Sequence, residues 1–143
     1  MNKEIYQVLA AEDDMSEQKL LKMTAKQSGY PVSFTFLNDG EEALTYFGTI
    51  AKNAASADLP DLIILDLNLP KANGIEVLQS LKSYPRLKSI PVIILTTSNN
   101  SSDLKAAYEE GAAGYIRKPA VFEDYAKTMQ RVFDYWFGTC LLL

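Results

Sequence analysis

Short strand-like runs alternate along the whole chain with segments that carry helical periodicity. The runs are residues 5–11, 32–37, 62–65, 92–95 and 115–117. Those at 62–65 and 92–95 are apolar at every position, which is typical of parallel strands buried on both faces. Between the runs, apolar residues recur every three or four positions, as on one face of a helix. Five strands that alternate with five helices predict an α/β fold, a doubly wound parallel sheet with helices on both faces.

Turn-forming residues indicate where the helices and strands begin and end, and a stripe of apolar residues indicates the last helix. Residues 29–31 (Gly-Tyr-Pro) end the first helix, and residues 38–40 (Asn-Asp-Gly) open the second. Residues 51–60, rich in Ala, Ser and Asn, predict a surface loop. The stripe of the last helix is Phe122, Tyr125, Met129, Val132, Phe133 and Trp136. A single domain is therefore expected over residues 1–143, with residues 134–143 as a C-terminal tail that extends the last helix.

Reactive polar side chains directly follow four of the five predicted strands. Glu12 and Asp13 follow the first strand and Asp66 follows the third. Thr96 ends the fourth strand and Lys118 follows the fifth. Ligands of open α/β sheets bind beyond the carboxyl ends of the strands. Because parallel strands end at the same edge of a sheet, we expect these side chains to meet there.

The chemistry of this set indicates phosphoryl transfer. Carboxylates that lie close together repel each other unless a proton or a cation intervenes. Oxygen ligands without histidine or thiolate suit a hard cation such as Mg²⁺, and the chain has no histidine. Lys118 adds a positive charge and Thr96 a hydroxyl group for a phosphoryl oxygen. Since aspartate is a known acceptor nucleophile, the set predicts phosphoryl transfer to the carboxylate of Asp66.

Each of these residues also has a simpler structural interpretation. Asp14 is better explained as the N-cap of the first helix than as part of a site. Taken singly, Thr96 and Lys118 are ordinary strand-end residues, and Tyr115 is a half-buried aromatic residue of an edge strand. Asp66 would be a turn residue, although a carboxylate that closes a buried strand is costly without a partner. The functional hypothesis depends on the combination of these residues.

Composition narrows the possible functions. The net charge is −4 and no Lys-rich or Arg-rich run is present, which disfavours direct nucleic-acid binding. The absence of histidine excludes Ser-His and Cys-His nucleophile pairs. No apolar stretch approaches the length of a membrane span, so no membrane association is expected. The single cysteine, Cys140, is consistent with a reducing compartment, and we expect a cytoplasmic protein.

With these residues assembled, the sequence resembles the receiver domains of two-component response regulators over nearly its whole length. Glu12-Asp13 is similar to the acidic pair of that family, and residues 62–70 (LIILDLNLP) to its phosphoacceptor segment. Thr96 matches the signalling hydroxyl, and Lys118-Pro119 matches a conserved lysine followed by a cis-prolyl junction. The resemblance implies a flavodoxin-like sheet of strand order 2-1-3-4-5.

The same resemblance implies roles for the acidic residues. Asp66 would be phosphorylated by a partner histidine kinase or histidine phosphotransfer protein, because the chain itself has no histidine to act as donor. Mg²⁺ would be held by Asp13, Asp66 and the backbone carbonyl of Asn68, with Glu12 acting through water. The protein would not be a metabolic enzyme. Its chemistry would be limited to its own phosphorylation and autodephosphorylation.

Output is expected to come from a conformational switch. The resemblance implies that phosphorylation draws Thr96 inward and turns Tyr115 toward the core, which reshapes the face made by the fourth helix, fifth strand and fifth helix. Physically, this is a population shift between two packings. The signal would pass by protein contact to an unidentified target. Asn68 and Ser98 flank the expected site and are candidates for tuning hydrolysis.

Other features are similar to the small regulators associated with bacterial and cyanobacterial phytochromes. These are Thr97, residues 68–71, the loop before Pro60 and the aromatic-rich segment 133–137 (FDYWF). The leucines at 141–143, together with the aromatic cluster, predict a homodimer formed through the C-terminal helix and tail.

Three alternatives stay open on the sequence alone. A Mg²⁺-dependent phosphatase with an aspartyl intermediate can share this architecture, but residues 12–14 lack the second aspartate two positions after a first-strand nucleophile. A receiver-like scaffold that never accepts phosphate is disfavoured by the complete set of polar residues. Dinucleotide binding is weaker still, because no glycine-rich turn follows the first strand.

Overall fold

A parallel sheet of five strands organises the chain. The computed structural model describes residues 3–53, 55 and 58–143. The strands are β1 (Tyr6–Ala11), β2 (Val32–Leu37), β3 (Leu62–Leu65), β4 (Val92–Thr96) and β5 (Gly114–Arg117). The helices are α1 (Met15–Ser28), α2 (Gly40–Asn53), α3 (Gly74–Ser83), α4 (Ser101–Glu109) and α5 (Phe122–Gly138). The strand order β2-β1-β3-β4-β5 confirms the predicted doubly wound sheet.

Two hydrophobic cores cover the faces of the sheet. Successive strand residues point to opposite faces, so Leu9 and Ala11 join the first core and Val8 and Ala10 the second. Helices α2, α3 and α4 supply the first core with Ala43, Phe47, Ile50, Val77, Leu78, Leu81 and Ala107. Helices α1 and α5 supply the second core with Leu21, Ala25, Tyr125, Met129, Val132, Phe133 and Phe137. The helices therefore cover both faces of the sheet.

The register of the strands aligns their carboxyl ends. Ala11, the last residue of β1, accepts a hydrogen bond at 3.1 Å from the N–H of Asp66, the first residue after β3. Thr96, the last residue of β4, accepts one at 2.8 Å from the N–H of Lys118, the first residue after β5. The polar residues that follow the strands are thus brought to one edge of the sheet by backbone pairing.

Several local predictions can be compared with the structure. Asp14 is the N-cap of α1, as predicted, and accepts a hydrogen bond from the Ser16 N–H at 2.8 Å. Residues 51–53, predicted as loop, belong instead to α2, because Ile50 extends the buried face of that helix into the first core. Residues 54, 56 and 57 of the predicted loop lie outside the described residues.

Three further predictions fall in the C-terminal third of the chain. The implied cis bond before Pro119 is wrong, since the described residues contain no cis peptide bond and trans is the preferred isomer of X-Pro bonds. Phe122, predicted as part of the buried stripe, is 44% exposed at the start of α5. Residues 134–138 form the last turns of α5, and residues 139–143 follow in non-helical conformation. None of the helices within the described ranges is both long and apolar enough to cross a membrane.

Gly74 begins α3 directly against the loop that follows the central strand. A Cβ atom here would lie 2.4 Å from the Cα atom of Leu67 and 2.8 Å from its carbonyl oxygen. We expect Gly74→Ala to lower the free energy of unfolding by about 2 kcal/mol, because backbone atoms must move to make room. Denaturant titration measures this change. Gly48→Ala is the matched control, since its Cβ meets the hydroxyl of Tyr84 at 3.2 Å, the end of a flexible side chain. Equal stability of the two variants would contradict the prediction.

Candidate functional site

Glu12, Asp66 and Lys118 form one buried cluster at the carboxyl edge of the sheet. The Nζ atom of Lys118 lies 2.6 Å from Glu12 Oε1 and 2.8 Å from Asp66 Oδ2. The side chains of Lys118, Glu12 and Asp66 are only 7%, 6% and 8% exposed, so both ion pairs are largely shielded from water. The three residues follow β1, β3 and β5, and the parallel pairing of the sheet delivers them to one place.

The environment changes the proton affinity of two of these groups. Burial is the main cause that raises the pKa of Glu12 to about 7, and the charge of Asp66 adds to this rise, whereas Lys118 and the Asp14 N–H oppose it. Burial by itself would lower the pKa of Lys118. The hydrogen bonds and charges of Asp66 and Glu12 outweigh burial and hold the Lys118 pKa above its ordinary value. Lys118 is therefore cationic at neutral pH, while Glu12 exchanges a proton near neutrality.

Both carboxylate oxygens of Asp66 accept hydrogen bonds that orient the side chain. Its Oδ1 atom accepts a hydrogen bond at 2.9 Å from the N–H of Asn68, while its Oδ2 atom contacts Lys118. The side-chain amide of Asn68 in turn donates to the hydroxyls of Thr96 and Thr97, both at 3.3 Å. The loop after β3 thus holds the Asp66 carboxylate and the Thr96 hydroxyl on one connected network.

Thr96 and Tyr115 are joined through the loop between β4 and α4. Thr96 is completely buried, and its hydroxyl accepts a hydrogen bond at 3.3 Å from the N–H of Ser98. The hydroxyl of Tyr115 donates to the carbonyl oxygen of Ser98 at 3.1 Å. The half-buried Tyr115 ring packs against the first core. Thr96 and Tyr115, the two residues predicted to form the switch, are therefore both hydrogen-bonded to Ser98.

The acidic side chains offer oxygen ligands of the kind that a hard divalent cation prefers. Asp13 is exposed just beyond β1, and across the described ranges no three His, Cys, Asp or Glu side chains converge as a closed metal cage. Mg²⁺ does not require such a cage, because it retains several waters and binds through one or two carboxylates. Asp13, Asp66 and the backbone carbonyl of Asn68 carry oxygen donors of the type that Mg²⁺ prefers.

Comparison with known proteins identifies the family. The family model of the response regulator receiver domain matches residues 8–130. The chain belongs to this family. Receiver domains are the signalling modules of two-component systems; they interact with histidine kinases or phosphotransfer proteins and bind a divalent metal.

Two relatives are similar to this receiver domain over most of its length. Response regulator Rcp1 from Synechocystis sp. is 36% identical over 135 residues, which cover 94% of this chain and 91% of Rcp1. The probable methanogenesis regulatory protein FilR2 from Methanothrix harundinacea is 36% identical over 131 residues, which cover 92% of this chain and 83% of FilR2. Both matches extend well beyond the segment that carries Asp66.

Solved structures show the same architecture. The phosphorylated cyanobacterial phytochrome response regulator RcpA has a TM-score of 0.86 and 35% identity, over 96% of this chain and 97% of RcpA. The Mn²⁺-bound form of Rcp1 has a TM-score of 0.85 and 34% identity, over 96% of this chain and 99% of Rcp1. These likenesses confirm the predicted receiver fold and the resemblance to phytochrome-associated regulators.

The receiver site also contains polar residues that sequence reasoning missed. The buried Gln18 donates from Nε2 to the Glu12 carbonyl oxygen at 2.7 Å and to Asn38 Oδ1 at 2.8 Å, so it ties the loop after β1 to the loop after β2. Glu17 Oε2 lies 3.8 Å from Lys118 Nζ. The sequence offered one indication that Glu17 and Gln18 belong to the site. Both lie in the first turn of α1, close to the acidic pair Glu12-Asp13.

Proposed function

We propose that this receiver domain is a phosphoacceptor response regulator in which Asp66 accepts a phosphoryl group from a partner histidine kinase or histidine phosphotransfer protein. The observation that carries the proposal is the placement of Asp66 at the end of the central strand β3, with Lys118 Nζ 2.8 Å from its carboxylate. A carboxylate is a competent nucleophile toward phosphorus, and such transfer depends mainly on positioning and charge neutralisation. Signalling then proceeds through protein–protein contacts.

In the proposed reaction, a carboxylate oxygen of Asp66 forms a bond to phosphorus while the bond from phosphorus to the donor breaks, and the electron pair leaves with the donor. The N–H of Asn68 orients one carboxylate oxygen, and Lys118 neutralises charge beside the other. Asp13, Asp66 and the Asn68 carbonyl would hold Mg²⁺, with Glu12 acting through water. Bound Mg²⁺ supplies charge neutralisation for the carboxylates and the phosphoryl oxygens.

The proposed output uses Thr96 and Tyr115 as the switch. Thr96 can offer its hydroxyl to an oxygen of the phosphoryl group, and its movement changes the loop to which Tyr115 is hydrogen-bonded. New contacts to the phosphoryl oxygens bias the equilibrium between two packings. The face made by α4, β5 and α5 would then present a different surface to the target protein. A cytoplasmic location and the absence of nucleic-acid contacts stay predictions.

The experiment that tests this function is phosphoryl uptake from acetyl phosphate, followed by intact-protein mass spectrometry. We expect one phosphoryl group per chain in the presence of Mg²⁺ and none when EDTA removes the metal, because the crowded carboxylates then repel the incoming anion. Readdition of Mg²⁺ restores uptake. Uptake that is indifferent to EDTA contradicts the metal dependence, and absence of uptake under all conditions contradicts the phosphoacceptor role. Continuous release of phosphate from phosphate esters would instead favour the phosphatase alternative.

We also propose a homodimer formed through the C-terminal helix and tail. Tyr135, Leu141 and Leu143 are 54%, 84% and 96% exposed, which leaves apolar side chains in water at one end of the molecule. We expect a dimeric mass by light scattering, and a monomeric mass for the double variant Leu141→Ser/Leu143→Ser. A monomeric mass of the unmodified chain at high concentration contradicts this proposal.

A further inference from the structure

Ser98 is the central residue of the loop between β4 and α4. Its N–H donates to the Thr96 hydroxyl at 3.3 Å, and its carbonyl oxygen accepts from the Tyr115 hydroxyl at 3.1 Å. Its own hydroxyl donates to Asp103 Oδ2 at 2.7 Å and accepts from the Asn100 N–H at 3.3 Å. One small residue therefore connects both switch residues to the first turn of α4.

The start of α4 departs from the usual capping pattern at this residue. Asn100 is the N-cap, and its side chain accepts a hydrogen bond from the Ser102 N–H at 2.9 Å. In a capping box, the acidic or amide side chain three residues after the N-cap accepts from the N–H of the N-cap residue itself. Here the Asp103 carboxylate accepts from the Ser98 hydroxyl instead, and that hydroxyl accepts from the Asn100 N–H. The Ser98 hydroxyl thus lies between the Asp103 carboxylate and the Asn100 N–H, which would contact each other directly in a capping box. The hydrogen bonds that cap α4 therefore also hold the loop before it.

The strength of this arrangement lies in the bond between Ser98 and Asp103. Its acceptor is a carboxylate, and charge-assisted hydrogen bonds of this length are stronger than neutral ones. Both residues are half-buried, which limits competition from water. The other three bonds of Ser98 are between 3.1 and 3.3 Å long and neutral. The bond to Asp103 is therefore the strongest of the four hydrogen bonds through which Ser98 holds the loop.

We propose that Ser98 and Asp103 are positioning residues that latch the loop between β4 and α4 in the unphosphorylated arrangement and so set the threshold of the switch. This inference rests on the proposed function, in which the Thr96 hydroxyl must move to reach a phosphoryl oxygen on Asp66. Because Ser98 N–H is bonded to that hydroxyl, the loop and Thr96 move together. Release of the latch favours the phosphorylated arrangement before any phosphoryl group arrives.

The first test measures the affinity for beryllofluoride, a mimic of the phosphoryl group, by titration in the presence of Mg²⁺. We expect Ser98→Ala and Asp103→Asn to bind beryllofluoride roughly tenfold more tightly than the unmodified chain, in the range typical of coupling between sites. The double variant should match Ser98→Ala, because both substitutions remove the same bond. Ser102→Ala is the matched control, since its hydroxyl donates to Asn100 Oδ1 at 2.7 Å but has no bond to Ser98. Unchanged or weaker binding by both single variants overturns the proposal.

The second test does not need phosphoryl chemistry. Hydrogen–deuterium exchange of the unmodified protein reports how often the amides of residues 97–101 open. We expect faster exchange in Ser98→Ala and Asp103→Asn and exchange like that of the unmodified chain in Ser102→Ala. Equal exchange in all variants overturns the latch even if beryllofluoride binds normally. The unmodified chain could fail to bind beryllofluoride while the variants still differ in exchange. That result contradicts the proposed function and shows that Ser98 and Asp103 hold the loop without a role in switching.

Discussion

Asp66→Asn is expected to take up no phosphoryl group from acetyl phosphate and Mg²⁺ under conditions that modify the unmodified chain completely. The amide has no anionic oxygen to attack phosphorus, and it removes a charged ligand from the proposed Mg²⁺ site. The nearest carboxylate does not replace it, since Glu12 is held by Lys118 and by the N–H of Asp14. Intact-protein mass spectrometry at several times of incubation measures the loss.

The matched control for this substitution lies at the other end of the same strand. Asp61 is buried directly before β3, where it accepts hydrogen bonds from Lys3 at 2.5 Å and from the Gln7 N–H at 2.8 Å. Asp61→Asn removes a buried carboxylate of the same size but leaves the carboxyl edge of the sheet intact. We expect its uptake to equal that of the unmodified chain. Normal uptake by Asp66→Asn means that another residue is the acceptor, and loss of uptake in both variants indicates a structural effect.

The location of the site could be predicted because it depends on strand ends. The continuous apolar runs of β3 and β4 identified central parallel strands, and the residue that follows each such strand must lie at the carboxyl edge. That argument places Asp66 and Thr96 without any knowledge of their contacts. It also explains why Lys118 arrives at the same edge from a short and less apolar strand.

The pairing within the site could not be predicted from the sequence. Glu12 and Lys118 are 106 positions apart, and consecutive residues at the end of β1 point in opposite directions. Strand ends alone do not decide whether Glu12 or Asp13 meets the lysine. The structure gives the buried place to Glu12 and leaves Asp13 exposed. Gln18 was missed for a related reason, since its two bonds join loops that only the folded sheet brings together.

The predicted end of the second helix was wrong because local composition indicated a loop where side-chain packing favours a helix. Residues 51–60, rich in Ala, Ser and Asn, predicted a loop, but Ile50, one helical turn after Phe47, is buried in the first core. Burial of this side chain extends α2 to Asn53. Packing of an apolar face commonly outweighs local propensity in this way. At the C-terminus, Leu142 packs against the second core whereas Leu141 and Leu143 are exposed, a difference that three identical residues cannot reveal.

Lys118→Met is expected to lower the free energy of unfolding by about 3 kcal/mol at pH 8 in the absence of Mg²⁺. Methionine fills similar space but leaves Glu12 and Asp66, which contact the same lysine nitrogen at 2.6 and 2.8 Å, without a cation between them. Removal of one partner from a buried ion pair is costly because the remaining charges stay buried. Lys105→Met is the control, since the ion pair of Lys105 with Glu109 is on the surface, and its loss should change the free energy of unfolding by less than about 1 kcal/mol.

The pH dependence of this loss distinguishes charge from packing. Burial already raises the pKa of Glu12 from 4.5 to about 7 in the folded protein, and removal of Lys118, which opposes that rise, raises it further. An acid whose pKa is higher in the folded protein than in the unfolded chain contributes fully to the free energy of unfolding below its unfolded pKa. This contribution is lost as the pH rises from the unfolded to the folded pKa. The unmodified chain loses the Glu12 contribution up to its folded pKa of about 7, whereas Lys118→Met continues to lose it at higher pH. The deficit of Lys118→Met should therefore change little between pH 4.5 and about 7 and grow from there toward pH 8. Denaturant titrations across this range, with and without Mg²⁺, measure it, and Mg²⁺ should reduce the deficit at pH 8 because it replaces the missing positive charge. A deficit that is independent of both pH and Mg²⁺ would show that Lys118 stabilises this edge of the sheet by packing rather than by neutralising its carboxylates.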